Sequence, residues 1–169
     1  MGYETAATRG VQVHYGPRTT DMKFGGFVCG DNQIKTVVWD FNYDDLPDAA
    51  THNLGYSIPA NSTIMSAKLN IITAFTSTST TTDLTVGLQV AAGTEIDNDG
   101  LITAAQATQT TIAVVGSIID GSSGTAGALI GKTIGATAGE LVVTPSAADL
   151  LTGRARMIVE YMAPAASPA

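Results

Sequence analysis

Cysteine is nearly missing from this 169-residue chain: Cys29 stands alone. A disulfide framework within the chain is thereby excluded, and a zinc site built on several thiolates nearly so. Charge is also scarce, at 14% of residues, and only eight of those residues are Lys or Arg. The net charge of −7 argues against sequence-independent binding to nucleic acid, which draws its affinity from neutralising phosphates. Aromatic residues make up 6% of the chain, with one tryptophan. No apolar run approaches the roughly 18–20 residues needed to cross a bilayer. The opening "MGYETAATRG" shows no charged-then-apolar pattern, so no export signal is predicted.

What the chain does have is 44% hydrophobic residues, 18 glycines and an abundance of Thr, Ala and Ser. A chain of this length buries about 70% of its unfolded surface in one core. Threonine suits half-exposed strand faces and glycine suits tight turns. Few charges on such a chain point to surface covered by partners.

Alternation identifies the strands. In "IKTVVWDFNY", Val37, Trp39, Phe41 and Tyr43 share one face, with Val38, Asp40 and Asn42 on the other. "IMSAKLNIITAF" places Met65, Ala67, Leu69, Ile71 and Thr73 together; "LTVGLQV" places Leu84, Val86, Leu88 and Val90 together. "GELVVT" is a short strand. "RARMIVEYM" sets Ala155, Met157, Val159 and Tyr161 against Arg154, Arg156, Ile158 and Glu160. Residues 44–63 read as a long polar connection and "TSTSTTTD" as a loop tip. The expected helix runs from an N-cap at Thr103 to about Ala113, and "AVVGSIID" either continues it or forms a strand. A further helical turn is expected between Ser146 and Gly153. The fold predicted is mainly β: an antiparallel β-sandwich, jelly-roll-like, with one or two short helices. Residues 1–33 form an extended N-terminal arm, 34–162 the sandwich and 163–169 a flexible tail. The core is expected to hold Val37, Trp39, Phe41, Leu69, Ile71, Val86, Leu88, Met157, Val159 and Tyr161.

Chemical motifs are sparse. "AGALIGKT", Ala126 to Thr133, satisfies the loose form of a phosphate-binding loop, which needs a strand entering and a helix leaving. "IGATAGELVV" after Thr133 is a poor helix start, so the match is read as inert and Lys132 as an ordinary lysine. "DNDG" (Asp97–Gly100) lacks the Glu that a calcium loop carries at position 12, where Thr108 stands; a tight bend is expected. His14 and His52 have no metal-ligand spacing, and Asp40, Asp44, Asp45 and Asp48 read as a solvated acidic loop. No catalytic residue, metal or cofactor is expected, and the chain is not read as an enzyme.

"YSIPANSTIMSAKLNIITAF", "LTVGLQVAAGTEIDNDGLITAAQ" and "GELVVTPSAADLLTGRARMIVEYM" together resemble the head decoration (cement) proteins of tailed bacteriophages, particularly marine and cyanobacterial ones. The resemblance covers Tyr56 to Met162. It implies a β-sandwich, often trimeric, made in the host bacterial cytoplasm and seated on the outer capsid surface where major capsid proteins meet. The implied partners are the major capsid protein and further copies of this chain; nucleic acid and membrane are not among them. The alternative is a receptor- or carbohydrate-binding β-sandwich of a viral fibre, which wants exposed aromatics where Trp39 reads as buried. The arm concentrates three of the eight basic residues. Arg9, Val11, Val13, Tyr15, Arg18, Lys23, Phe24 and Phe27 are the residues expected to contact the capsid, because apolar side chains on a free tail invite a partner. Such an arm orders on docking.

Overall fold

Eight strands build the two larger sheets among the described residues, and their pairing follows one rule. The structure, a computed structural model, describes residues 34–163. It also describes the backbone of two small ladders ahead of them, Ala6–Ala7 with Gly10–Val11 and Val13–His14 with Phe27–Val28. The strands are β1 (Ile34–Asn42), β2 (His52–Ile58), β3 (Thr63–Ser77), β4 (Leu84–Gln89), β5 (Glu95–Ile102), β6 (Ile118–Asp120), β7 (Gly139–Pro145) and β8 (Leu150–Met162). Within their sheets β1 pairs with β8, β2 with β7, β3 with β6 and β4 with β5, all antiparallel. A chain folded back on itself in this way, then rolled, gives a jelly roll. Sheet I has the order β6-β3-β8-β1 and sheet II the order β2-β7-β4-β5.

Alternation drives the inner faces together. Trp39 and Phe41 from β1, Leu69 and Ile71 from β3 and Met157 and Val159 from β8 meet Val86 and Leu88 from β4 and Leu141 and Val143 from β7. Of the expected core, nine residues are buried and Val37 is half-buried against them. Met65 and Thr73 are exposed, contrary to strict alternation. The β3–β8 register slips on either side of Thr73 and once at Met65: Ile64 pairs with Tyr161 and Ser66 with Glu160, which leaves Met65 as the extra residue. A β-bulge of this kind resets which side chains point inward, so Ile64 and Phe75 take core positions instead.

Other expectations are corrected. The helix expected over 103–113 is a single turn, α1 (Gln109–Ile112), with Thr108 as its N-cap residue; threonine-rich sequence lowers helix propensity, and Gly116 is tied by its N–H to the Ile71 carbonyl. Ser146 caps no helix. Its hydroxyl accepts from the Asp83 N–H at 2.9 Å, and Leu150 onward is strand β8. Residues 52–58, read as polar connection, form edge strand β2, whose polar residues face solvent. Asp97–Gly100, read as a tight bend, lies within β5. Among the described residues no helix is long and apolar enough to cross a membrane.

One side of the sandwich is sewn shut. β6 is only three residues long, and the chain beyond it runs on along β3 as a loop. Gly121 donates its N–H to Ala67 at 2.8 Å, Gly131 to Ile64 at 2.9 Å and Ile134 to Ser62 at 2.9 Å. Leu129 donates across to Gly100 of β5 at 2.9 Å. Residues 121–134 thus bond to the edges of both sheets. Gly127 is required there, because a Cβ on it would collide with the Gly100 carbonyl. The Gln106 side chain adds a clip, its amide donating to the carbonyls of Asp120 and Gly121, both at 3.1 Å, and of Ser123.

Candidate functional site

The segment "AGALIGKT" is part of that seam. The N–H groups that a phosphate loop would aim at an anion are taken by backbone carbonyls: Gly127 donates to Gly121 at 3.0 Å, Leu129 to Gly100, Ile130 to Gly127 at 3.1 Å, Gly131 to Ile64 and Lys132 to Leu129 at 3.0 Å. Thr133 bridges to Thr63, their hydroxyls 2.8 Å apart, and the next regular element is strand β7 rather than a helix. Lys132→Ala is therefore expected to change stability by less than about 0.5 kcal/mol. Nucleotide binding that disappears with this substitution would contradict the assignment.

His52 is tied to its own turn, its Nε2 lying 3.0 Å from the Asp48 carbonyl and 3.0 Å from Asp48 Oδ1. In β5, burial pushes the Asp97 carboxyl up from its ordinary value, and Asp99 and Glu95 beside it add to the effect. Among the described residues no three His, Cys, Asp or Glu side chains group as metal ligands. Arg9, Tyr15, Arg18, Lys23 and Phe24 lie outside the described residues, as do the side chains of Val11, Val13 and Phe27.

The distinctive surface is the outer face of sheet I. Nine large apolar side chains are exposed among the described residues. Tyr56 is the one on sheet II. The other eight belong to sheet I or to the turn entering β6: Ile34, Val38, Met65, Val114, Val115, Ile118, Leu151 and Met162. Exposure is large, 52% at Val38, 64% at Val115 and 65% at Ile118. The register sets Ile34 beside Met162 and Val38 beside Ile158, so the apolar residues of β1 and β8 form two rows across the strands. Between them Glu160 accepts a hydrogen bond from the Ser66 hydroxyl at 2.7 Å. Sheet II presents Glu140 and Thr144 of β7 and Thr85 and Gln89 of β4 on its outer side instead. Sequence reading had assigned Val38 and Ile158 to the polar side of their strands; the departure from strict alternation was the available signal.

A charged cluster fixes one end of this face. Arg156 grips Asp40 with two nitrogens, Nε at 2.6 Å and Nη2 at 3.1 Å, and Arg154 Nη2 approaches at 2.7 Å. The hydrogen bond from Arg156 is the main reason the Asp40 carboxyl falls from 3.8 to about 2, and burial opposes it. A carboxyl depressed in the fold stabilises above its unfolded value and loses that contribution as pH falls toward its folded one. Stability is thus expected to decline between about pH 4 and pH 2, and Asp40→Asn to remove that part of the acid dependence. Both arginines are about half exposed, so screening holds the contribution at neutral pH to about 1 kcal/mol. Urea titrations of both proteins across this range would measure it; an unchanged acid limb in Asp40→Asn would refute it.

No protein-family model and no curated protein matches the chain. Two solved structures share its fold. A chain from the capsid of Ralstonia phage GP4 is 16% identical, with a TM-score of 0.54 over 80% of this chain and 88% of that one. A chain from the capsid asymmetric unit of cyanophage Pam1 is 13% identical, with a TM-score of 0.50 over 88% of this chain and 98% of that one.

Proposed function

We propose that this chain is a structural protein of a bacteriophage head, of the decoration or cement type. It seats on the outer capsid surface and holds neighbouring major capsid proteins together. The single observation that carries this reading is the concentration of eight exposed apolar side chains on and around one sheet. A patch of that kind marks an interface, and a cement protein needs a rigid scaffold with such a face and no chemistry. The likeness of fold to chains from two phage capsids supports the setting. Residues 1–33 act as an arm, with Arg9, Val11, Val13, Tyr15, Arg18, Lys23, Phe24 and Phe27 meeting capsid protein or an adjacent copy. The working unit is a trimer, whose repeated weak contacts add through multivalency.

The test is reconstitution on purified heads stripped of this protein, with native mass measured on the free chain. The intact protein is expected to bind in fixed ratio to the major capsid protein. Val38→Asp, and separately deletion of residues 1–30, should weaken binding at least tenfold, about 1.4 kcal/mol, while thermal unfolding of the sandwich is retained. Binding unchanged by both alterations would sink the reading, and a stable monomer both free and on the shell would sink the trimer.

A further inference from the structure

The seam of residues 121–134 closes one side of the sandwich; on the other side the edge strands β1 and β2 face each other across a gap. There lies a cleft of about 270 Å³ lined by Asp40, Phe41 and Asp45 on the β1 side and Asn53, Leu54 and Tyr56 on β2. Its volume is near the lower end of small-ligand pockets, ~300 Å³, enough for one sugar ring. We infer that this cleft binds a neutral hexopyranose, with Tyr56 as the stacking platform. The inference is independent of the capsid reading.

Two observations carry it. Tyr56 is 44% exposed although it is a large ring, and its orientation is fixed from behind. It stacks on Trp39 with ring centroids 5.4 Å apart and planes 18° from parallel, while Trp39 itself is 3% exposed. A flat, buttressed aromatic with one open side suits the C–H face of a pyranose, whose weakly positive hydrogens meet the negative face of the ring. Second, the polar lining is held in place before any ligand arrives. Asp45 Oδ2 accepts the Asn42 N–H at 2.8 Å, leaving its other oxygen for a hydroxyl. Asn53 donates its amide to Glu140 and accepts the Gly55 N–H at 2.8 Å.

The same groups exclude other ligands. Asp45 in the lining and Glu140 behind Asn53 disfavour anions in the cleft. Both Asp40 oxygens are occupied by Arg154 and Arg156, which removes Asp40 as a metal ligand. A carboxylate and an amide beside an aromatic face form a pattern that pairs with adjacent hydroxyls, which both donate and accept.

The experiment titrates the full chain with methyl glucopyranosides, galactopyranosides and mannopyranosides and with N-acetylglucosamine. Glucuronate and glucosamine serve as charged comparators. Trp39, the single tryptophan, reports through its emission, and saturation-transfer NMR reports on the sugar. At least one neutral hexoside is expected to give a saturable change. Tyr56→Ala should weaken it at least tenfold and Tyr56→Phe should retain it; Asn53→Ala, at an exposed residue, should weaken it without touching the Trp39 stack. The inference is overturned by the absence of a saturable response to any neutral hexoside, by affinity that survives both Tyr56→Ala and Asn53→Ala, or by a response to a charged comparator alone.

Discussion

Gly153→Ala is expected to destabilise the protein by about 2–6 kcal/mol, from overpacking at ~1–3 kcal/mol and left-handed backbone strain at ~1–3 kcal/mol. Gly153 sits in β8 with φ +139°, a region that residues with a Cβ rarely adopt. The Phe75 ring lies directly over its Cα, so a Cβ would enter the ring's van der Waals envelope. Phe75 cannot easily yield, because it is fully buried and packs against Phe41 at 6.1 Å between centroids. Against a domain stability of about 5–15 kcal/mol, this one methyl group removes a large share. Denaturant titration would read the loss. Shortening the ring in the double variant Gly153→Ala/Phe75→Leu should recover part of the Gly153→Ala loss relative to Phe75→Leu alone, because touching residues couple. A loss below about 1 kcal/mol would show that the glycine is not needed.

Trp39→Ala is the second large effect, expected at about 3–5 kcal/mol from the cavity left by the indole. Trp39 bridges the core and the Tyr56 ring, so its removal also releases Tyr56. Trp39→Phe should cost less than half as much, because it keeps most of the ring and deletes a buried N–H that has no partner. Thermal and urea unfolding of the two variants would separate packing from polar cost. If Trp39→Ala cost less than about 1 kcal/mol, the indole would not be part of the core.

The inner faces were readable because alternation is enforced wherever one side of a strand meets a core. Trp39, Phe41, Val86, Leu88, Met157 and Val159 stand where period-two spacing placed them. The misses have physical causes. Met65 and Thr73 were misassigned because a bulge adds a residue without leaving a mark in composition. Edge strand β2 was overlooked because an edge needs few apolar residues, and β5 because Asp-Asn-Asp-Gly is turn chemistry in isolation. Turn propensity there yields to pairing with β4, which aligns Asp97 with Leu88 and Ile102 with Val86. The seam was invisible for a different reason. Its bonds join residues far apart in sequence through the backbone, and backbone carries no residue-specific signal. The apolar outer face of sheet I was not recognised: Val38 and Ile158 were placed on the polar side of their strands, and nothing local told that their rows would align with Ile34 and Met162.

The register that sets Ile34 opposite Met162 also decides how the molecule answers to force. Both ends of the sandwich chain emerge side by side from neighbouring antiparallel strands. Tension applied between Ile34 and Met162 therefore meets the β1–β8 ladder one rung at a time, like a zipper, and the weakest single rung sets the resistance. Tension applied along the sheet, through side chains spread over its face, loads many rungs together in shear. Gripped by its face the molecule would hold; hauled by its two ends it would peel.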